Sequence, residues 1–388
     1  MKYPLSSSTW GIEEEIAISD ILKSGNFTMG RKVQEFEQNF SDYFGSKYAV
    51  MCNSGSSANL LMVTALMYRK SGCLLPDDEV LVPAVSWSTT YYPIHQNGLV
   101  MNFVDIDLES LNIDLDLLEN KITKKTKAIL AVNLLGNPVN YKHLIEFSER
   151  NNLILLEDNC ESLGASIENQ RTGTFGLAGS TSFFYSHHIS TMEGGCVLTD
   201  DQELYQIMKS IRAHGWTRDL PSKNLVFEKT GTEWDDLFRF VLPGYNLRPL
   251  EIEAAIGIEQ LKKLDLFVQN RRSNAMKFRE LLSAYPKILI QKEFGKSSWF
   301  GFSMILQEDW SSRRDEFVSH LERYEIQSRP IVAGNFARNP VLKHLRHKEI
   351  TDLSRADVLH EQGLFIGNHH YLMEDEFELL ASALRTFN

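Results

Sequence analysis

Residues 127–158 read KAILAVNLLGNPVNYKHLIEFSERNNLILLED. Two short apolar runs, KAILAVN (127–133) and LILLE (153–157), flank a helical stretch near 140–151. Together they make a βαβ unit of ordinary length. The rest of the first three-fifths keeps this rhythm. Val33, Phe36, Phe40 and Phe44 recur at helical spacing and predict an amphipathic helix over 31–44. Ser54-Gly55-Ser56-Ser57 opens a second helix, and EVLVP (79–83), stopped by proline, predicts a buried strand. TSFFYS (181–186) and GCVLTD (195–200) predict two more strands joined by an EGG turn. Such alternation implies an α/β fold, a sheet covered by helices on both faces. From about 247 the rhythm is lost. A long helix over 250–267, a second helix near 271–284 and irregular elements beyond them predict a smaller α+β domain. The expected division is a large cofactor-binding domain over 1–246 and a small C-terminal domain over 247–388.

A chain of 388 residues, 43% hydrophobic, is long enough for a sizeable core and for more than one domain. Its net charge of −11 argues against non-specific attraction to nucleic acid or an anionic membrane. No run approaches the roughly eighteen apolar residues of a membrane span. MKYPLSSSTWGIEEE has no apolar signal-peptide region, so a cytoplasmic protein is expected. Cys52, Cys73, Cys160 and Cys196 form no CxxC pair, and no metal site is expected from them.

Several residues could carry chemistry. Asp158 directly follows an apolar strand, where open α/β sheets bind ligands, and a carboxylate there can hold a ring nitrogen protonated. Taken alone it is more often a turn or helix-cap residue. NSGSSAN (53–59) precedes a helix, so its backbone N–H groups and the hydroxyls of Ser56 and Ser57 could surround a phosphate, or merely cap the helix. Trp87, past another strand end, could stack on a flat ring or sit in the core. His187 and His188 lie in or just after a strand, where neighbours face opposite sides, so only one would enter a given site.

Taken in order, these segments resemble the sugar aminotransferase family of pyridoxal-phosphate enzymes, which have the aspartate aminotransferase fold (fold type I): a mixed, mostly parallel sheet sandwiched by helices. TMGRKVQEFEQNFSDYFGSKYAV (28–50), CNSGSSANLL, VPAVSWSTT, LLEDNCESLGA and PGYNLRPLEIEAAIGIEQL (243–261) carry the resemblance over nearly the whole chain. It implies a pyridoxal 5′-phosphate or pyridoxamine 5′-phosphate cofactor. Trp87 would stack on the ring and Asp158 would meet its nitrogen. Ser56, Ser57 and Ser182 would hold the phosphate. Asn246 would reach the phosphate of the neighbouring subunit, which implies a homodimer.

Two departures follow from the same resemblance. The family places its Schiff-base lysine where this chain has His187, and no lysine lies between Lys142 and Lys209. Glu161 stands where aminotransferases carry glutamine near the ring hydroxyl. Both departures, with RPIVAGNFARNP (329–340), resemble the branch of pyridoxamine-dependent sugar 3-dehydratases. That branch implies removal of the C3 hydroxyl of a GDP-linked 4-keto-6-deoxymannose in colitose formation. L-glutamate would be the amino donor and ammonia would be released. Arg329 and Arg338 would contact the substrate. Imidazole moves protons near neutrality but forms no stable Schiff base, so the cofactor would be held without a covalent bond. Other readings stay open: a sugar nucleotide aminotransferase, a 3-dehydratase on a CDP-sugar, or a catalytically silent binding protein. The known CDP-sugar enzyme uses clustered cysteines for an iron–sulfur cluster, which this chain does not offer.

Overall fold

The computed structural model describes residues 1–229 and 232–387. Seven strands form the larger sheet: β1 (Tyr48–Cys52), β2 (Glu79–Pro83), β3 (Val100–Val104), β4 (Thr126–Val132), β5 (Ile154–Asp158), β6 (Ala178–Ser182) and β7 (Gly195–Thr199). Their spatial order is β1-β7-β6-β5-β4-β2-β3. Every pair from β6 across to β3 is parallel, and β7 runs antiparallel to both of its neighbours. This is the mixed, mostly parallel sheet expected of the fold.

Helices cover it. They are α1 (Ile12–Ser24), α2 (Arg31–Phe44), α3 (Gly55–Leu66), α4 (Ser88–Gln96), α5 (Tyr141–Arg150), α6 (Gln202–Ile211) and α7 (Glu251–Leu282). Alternate strand residues feed opposite faces. On β1, Val50 and Cys52 join the core that holds Leu61 and Met62 of α3. Ala49 and Met51 join the core that holds Phe36 and Phe40 of α2 and Leu264 of α7.

The smaller sheet has β8 (Ile288–Leu289), β9 (Gly301–Leu306), β10 (Ser328–Arg329) and β11 (Gly363–Gly367) in the order β8-β9-β11-β10, all antiparallel. Its core includes Phe278, Phe302, Phe317 and Leu380, and also Tyr3 from the start of the chain.

Two elements differ from expectation. α7 is one helix of 32 residues rather than two. No glycine or proline interrupts 267–271, and Phe267, Val268 and Arg271 are buried there, so packing carries the helix through. The strand expected over 181–186 ends at Ser182. Beyond it Phe183 donates its N–H to Gly194 O (2.9 Å) and accepts from Thr191 N (2.9 Å). Its ring enters the core between Phe36 and Phe40. These contacts take the chain out of the sheet and into a loop.

Candidate active site

The carboxyl ends of the parallel strands converge on a cavity of about 520 Å³. Register brings the edge together: Val132 pairs with Asp158, Asp158 with Ser180, and Ser182 with Gly195. Ligand sites of open α/β sheets lie at this edge.

Asp158 is the last residue of β5, buried, and lines the cavity. Its Oδ2 accepts from Asn59 Nδ2 (2.8 Å) and Thr90 Oγ1 (2.7 Å), and its Oδ1 from the Cys160 N–H (3.2 Å). The donors are themselves oriented. Ser180 Oγ donates to Asn59 Oδ1 (2.6 Å), which fixes the amide with its NH₂ toward the carboxylate. Thr90 has one hydroxyl proton, given to Asp158, so Ser86 Oγ donates to Thr90 (2.7 Å). Burial and the adjacent Asp158 push the Cys160 thiol up, so it is not a thiolate nucleophile.

At the other end, Ser54 caps α3 by accepting the Ser57 N–H (3.0 Å), and it donates to Ser57 Oγ (3.0 Å). The N–H groups of Gly55 and Ser56 are left for a ligand at a helix N-terminus. Ser56 Oγ, on the cavity wall, donates to Thr89 Oγ1 (2.9 Å). Backbone packs tightly here. A Cβ on Gly55 would come within 2.4 Å of Ser182 Cβ, and one on Gly195 within 2.3 Å of Ser54 O. Trp87, 59% exposed, borders the opening between these ends.

His187 lines the cavity from a loop, not a strand. Its N–H donates to Phe184 O (2.9 Å). Its ring meets Phe300 edge-on at 5.1 Å and Phe184 at 6.1 Å. Nδ1 is buried without a hydrogen-bond partner. Burial, then the charges of Arg329 and Arg271, pull its pKa down to about 3, so the ring is neutral at physiological pH. His188 turns away: it is fully buried, and its Nε2 lies 3.1 Å from Ser298 O. Glu161 also lines the cavity and accepts from the Leu135 N–H (3.0 Å). Burial raises its pKa to about 7, against the lowering influence of that N–H and of Arg329. No lysine lines the cavity among the described residues.

Residues 10–385 match the DegT/DnrJ/EryC1/StrS aminotransferase family. The chain belongs to that family. Among its members, the GDP-4-keto-6-deoxy-D-mannose 3-dehydratase of Yersinia pseudotuberculosis is 52% identical over 387 residues, covering 99% of this chain and 98% of the relative. Solved structures of a GDP-4-keto-6-deoxymannose-3-dehydratase superpose closely. One, a histidine-to-asparagine variant with bound GDP-perosamine, has a TM-score of 0.96 at 51% identity, covering 98% of this chain and 100% of that one. Another, with a trapped PLP-glutamate geminal diamine, has a TM-score of 0.96 at 52% identity with the same coverage.

Against this family background, the cavity fits pyridoxal phosphate. A helix N-terminus and hydroxyls stand at one end and a buried carboxylate at the other, with an aromatic side chain at the opening. Of the residues singled out in the sequence, Ser56, Trp87, Asp158, Glu161, Ser182, His187 and Arg329 line this one cavity. Ser57, Asn246 and Arg338 do not. The Ser57 N–H and hydroxyl are engaged by Ser54. Asn246 Oδ1 accepts from Arg248 Nε (2.9 Å). Arg338 pairs on the surface with Glu361 (2.6 Å) and Asp357 (3.4 Å). The sequence reading did not single out Asn59, Thr90, Phe300 or Val332. Thr90 lies in the first turn of α4, next to Trp87, and Asn59 lies within the quoted NSGSSAN, so both were within reach of it. Nothing local marks Phe300, which comes from the small-sheet segment.

Proposed function

We propose that this chain is a 3-dehydratase that removes the C3 hydroxyl of GDP-4-keto-6-deoxy-D-mannose. The product is the 4-keto-3,6-dideoxy sugar nucleotide, a colitose precursor. L-glutamate is the amino donor and ammonia is released. The observation that carries this is the neutral imidazole of His187 on the wall of a family cavity that, among the described residues, holds no lysine. Relatives with these names, at half identity over the full chain, support it. So do the GDP-sugar and the glutamate adduct bound in the solved relatives.

Bound pyridoxamine phosphate supplies an amine for the C4 ketone and a conjugated ring that accepts electrons. Asp158, fixed by three donors, keeps a ring nitrogen protonated. Gly55, Ser56 and Ser182 hold the phosphate, and Ser57 supports that turn from behind. Trp87 covers the ring. Glu161 faces the ring hydroxyl. His187, neutral and with Nδ1 sealed away, uses Nε2 to take a proton from the cofactor carbon and to deliver one to the departing hydroxyl. Lacking an ε-amine, it holds the cofactor by no covalent bond, and the amino group is not passed to the sugar. Arg329 and Arg338 serve the anionic nucleotide, Arg338 after leaving its surface carboxylates. The active unit is a cytoplasmic homodimer in which Asn246 reaches the partner's phosphate site. The cofactor belongs to residues 1–246, with residues 247–388 closing the far wall.

The test is product mass. Purified protein with pyridoxal phosphate, L-glutamate and GDP-4-keto-6-deoxymannose should yield a sugar nucleotide lighter by one oxygen, with ammonia released. An aminated sugar nucleotide would make the chain an aminotransferase, and unchanged substrate would remove this assignment.

A further inference from the structure

A catalytic imidazole is commonly oriented by a hydrogen bond from its second nitrogen. His187 has none, because its Nδ1 is buried without a partner. Its position must therefore come from the loop that carries it, and the loop is anchored on both sides of the ring. Upstream, the bonds between Phe183, Thr191 and Gly194 close its neck. Immediately downstream, His188 is tied to Ser298 O and Ile189 is fully buried.

Ser190 is the anchor with a distant source. Its N–H donates to Gln260 Oε1 (3.0 Å), and its carbonyl accepts from Trp10 Nε1 (2.9 Å). Gln260 is fully buried on α7. Its Oε1 also accepts from Thr9 Oγ1 (2.6 Å), while its amide donates to Thr9 O (3.0 Å) and Glu14 Oε1 (2.8 Å). Both lone-pair sites and both N–H groups of the amide are thus used, which leaves it one orientation. The N-terminal segment that supplies Thr9 and Trp10 is pinned at its start to the small core. Tyr3 pairs with Ile326 and donates to Gly367 O (2.7 Å).

We infer that Gln260 and the N-terminal strap are positioning elements for His187: through Ser190, Trp10 and Gln260 hold the proton-carrying ring in register with the cavity. The inference rests on the proposed role of His187. Trp10→Phe removes one hydrogen bond to Ser190 and keeps an aromatic ring. It should lower kcat about tenfold, since misplacing a catalytic group by an ångström costs up to about a hundredfold. KM for the sugar nucleotide should stay within about twofold, because the strap does not line the cavity. In cofactor-free protein, amide hydrogen exchange over 187–191 should quicken, and Gln260→Met should quicken it further. Combined with His187→Asn, Trp10→Phe should cost nothing more in kcat, as expected for two residues acting through one group. Unchanged exchange in both variants would overturn the clamp. An equal kcat loss with and without His187 would show that Trp10 acts elsewhere, and would overturn the positioning role. Full activity in His187→Asn alone would instead remove the reading beneath the inference, and is distinct from either result.

Discussion

Asp158 and His187 line the same cavity and are held in opposite ways. Asp158 ends a central strand, and three donors, two of them oriented by further hydroxyls, fix its carboxylate. His187 sits in a loop, its ring meets Phe184 and Phe300, and its Nδ1 has no hydrogen-bond partner. The contrast separates two duties. A group that stabilises a charge works best preorganised and still. A group that collects a proton at one atom and delivers it at another needs a nitrogen left free, on a ring placed by its backbone.

The largest effect should come from the free ring. His187→Asn should lower the dehydration rate about a hundredfold or more, the usual worth of a general acid–base group. Its unfolding midpoint should hardly move, since no hydrogen bond of the ring is lost. Product release followed by mass spectrometry, with a melting curve alongside, checks both halves. Retention of the full rate would end the distinction between the two residues. Asp158→Asn comes next. It presents an NH₂ group or a neutral oxygen to donors set up for a carboxylate. Charge-assisted hydrogen bonds are worth about 1.5–3 kcal/mol, so pyridoxal phosphate should bind about ten- to a hundredfold more weakly by absorbance titration, and here the midpoint should fall as well.

The smallest effect concerns Glu161, whose pKa near 7 stands above the ordinary carboxylate value of about 4.3. Raising a carboxyl's pKa means that folding favours its protonated form. Its contribution is therefore complete below about pH 4.3 and is lost as pH rises through about 7. Glu161→Gln stays neutral throughout. The melting temperature of cofactor-free variant minus that of wild type should grow between pH 4.5 and 7.5, and a flat difference would remove the shift.

The same contrast explains what the sequence made legible. Asp158 is announced by its own strand, because LILLE and the carboxylate are contiguous and strand ends carry ligands. The α3 turn is legible for the same local reason. The histidine loop is not. TSFFYS is rich in strand-forming residues, yet the chain leaves the sheet at Ser182 because Phe183 finds a better place between Phe36 and Phe40, far away in sequence. α7 reads as two helices because its apolar pattern weakens near 270, where buried Arg271 donates to Phe300 O (3.0 Å) and keeps the helix packed. Gln260 and Trp10 meet Ser190 across 70 and 180 residues, and no pattern in one stretch can announce such a meeting.

The unbroken α7 has a mechanical meaning. At a rise of about 1.5 Å per residue, its 32 residues make a rod nearly 50 Å long, with Leu264 in a core of the large sheet and Phe278 in that of the small one. A rod shared by two bodies leaves little freedom for one to swing against the other. Opening and closing over a substrate then falls to short segments at the mouth. The His187 loop, tied through His188 and Ser190, stays with the frame. The turn after Arg329 is such a segment, where Val332 at φ 42° sits in a backbone conformation that β-branched residues seldom adopt. In such a molecule the gate is hung on a rigid frame, and its travel is measured in side chains rather than in domains.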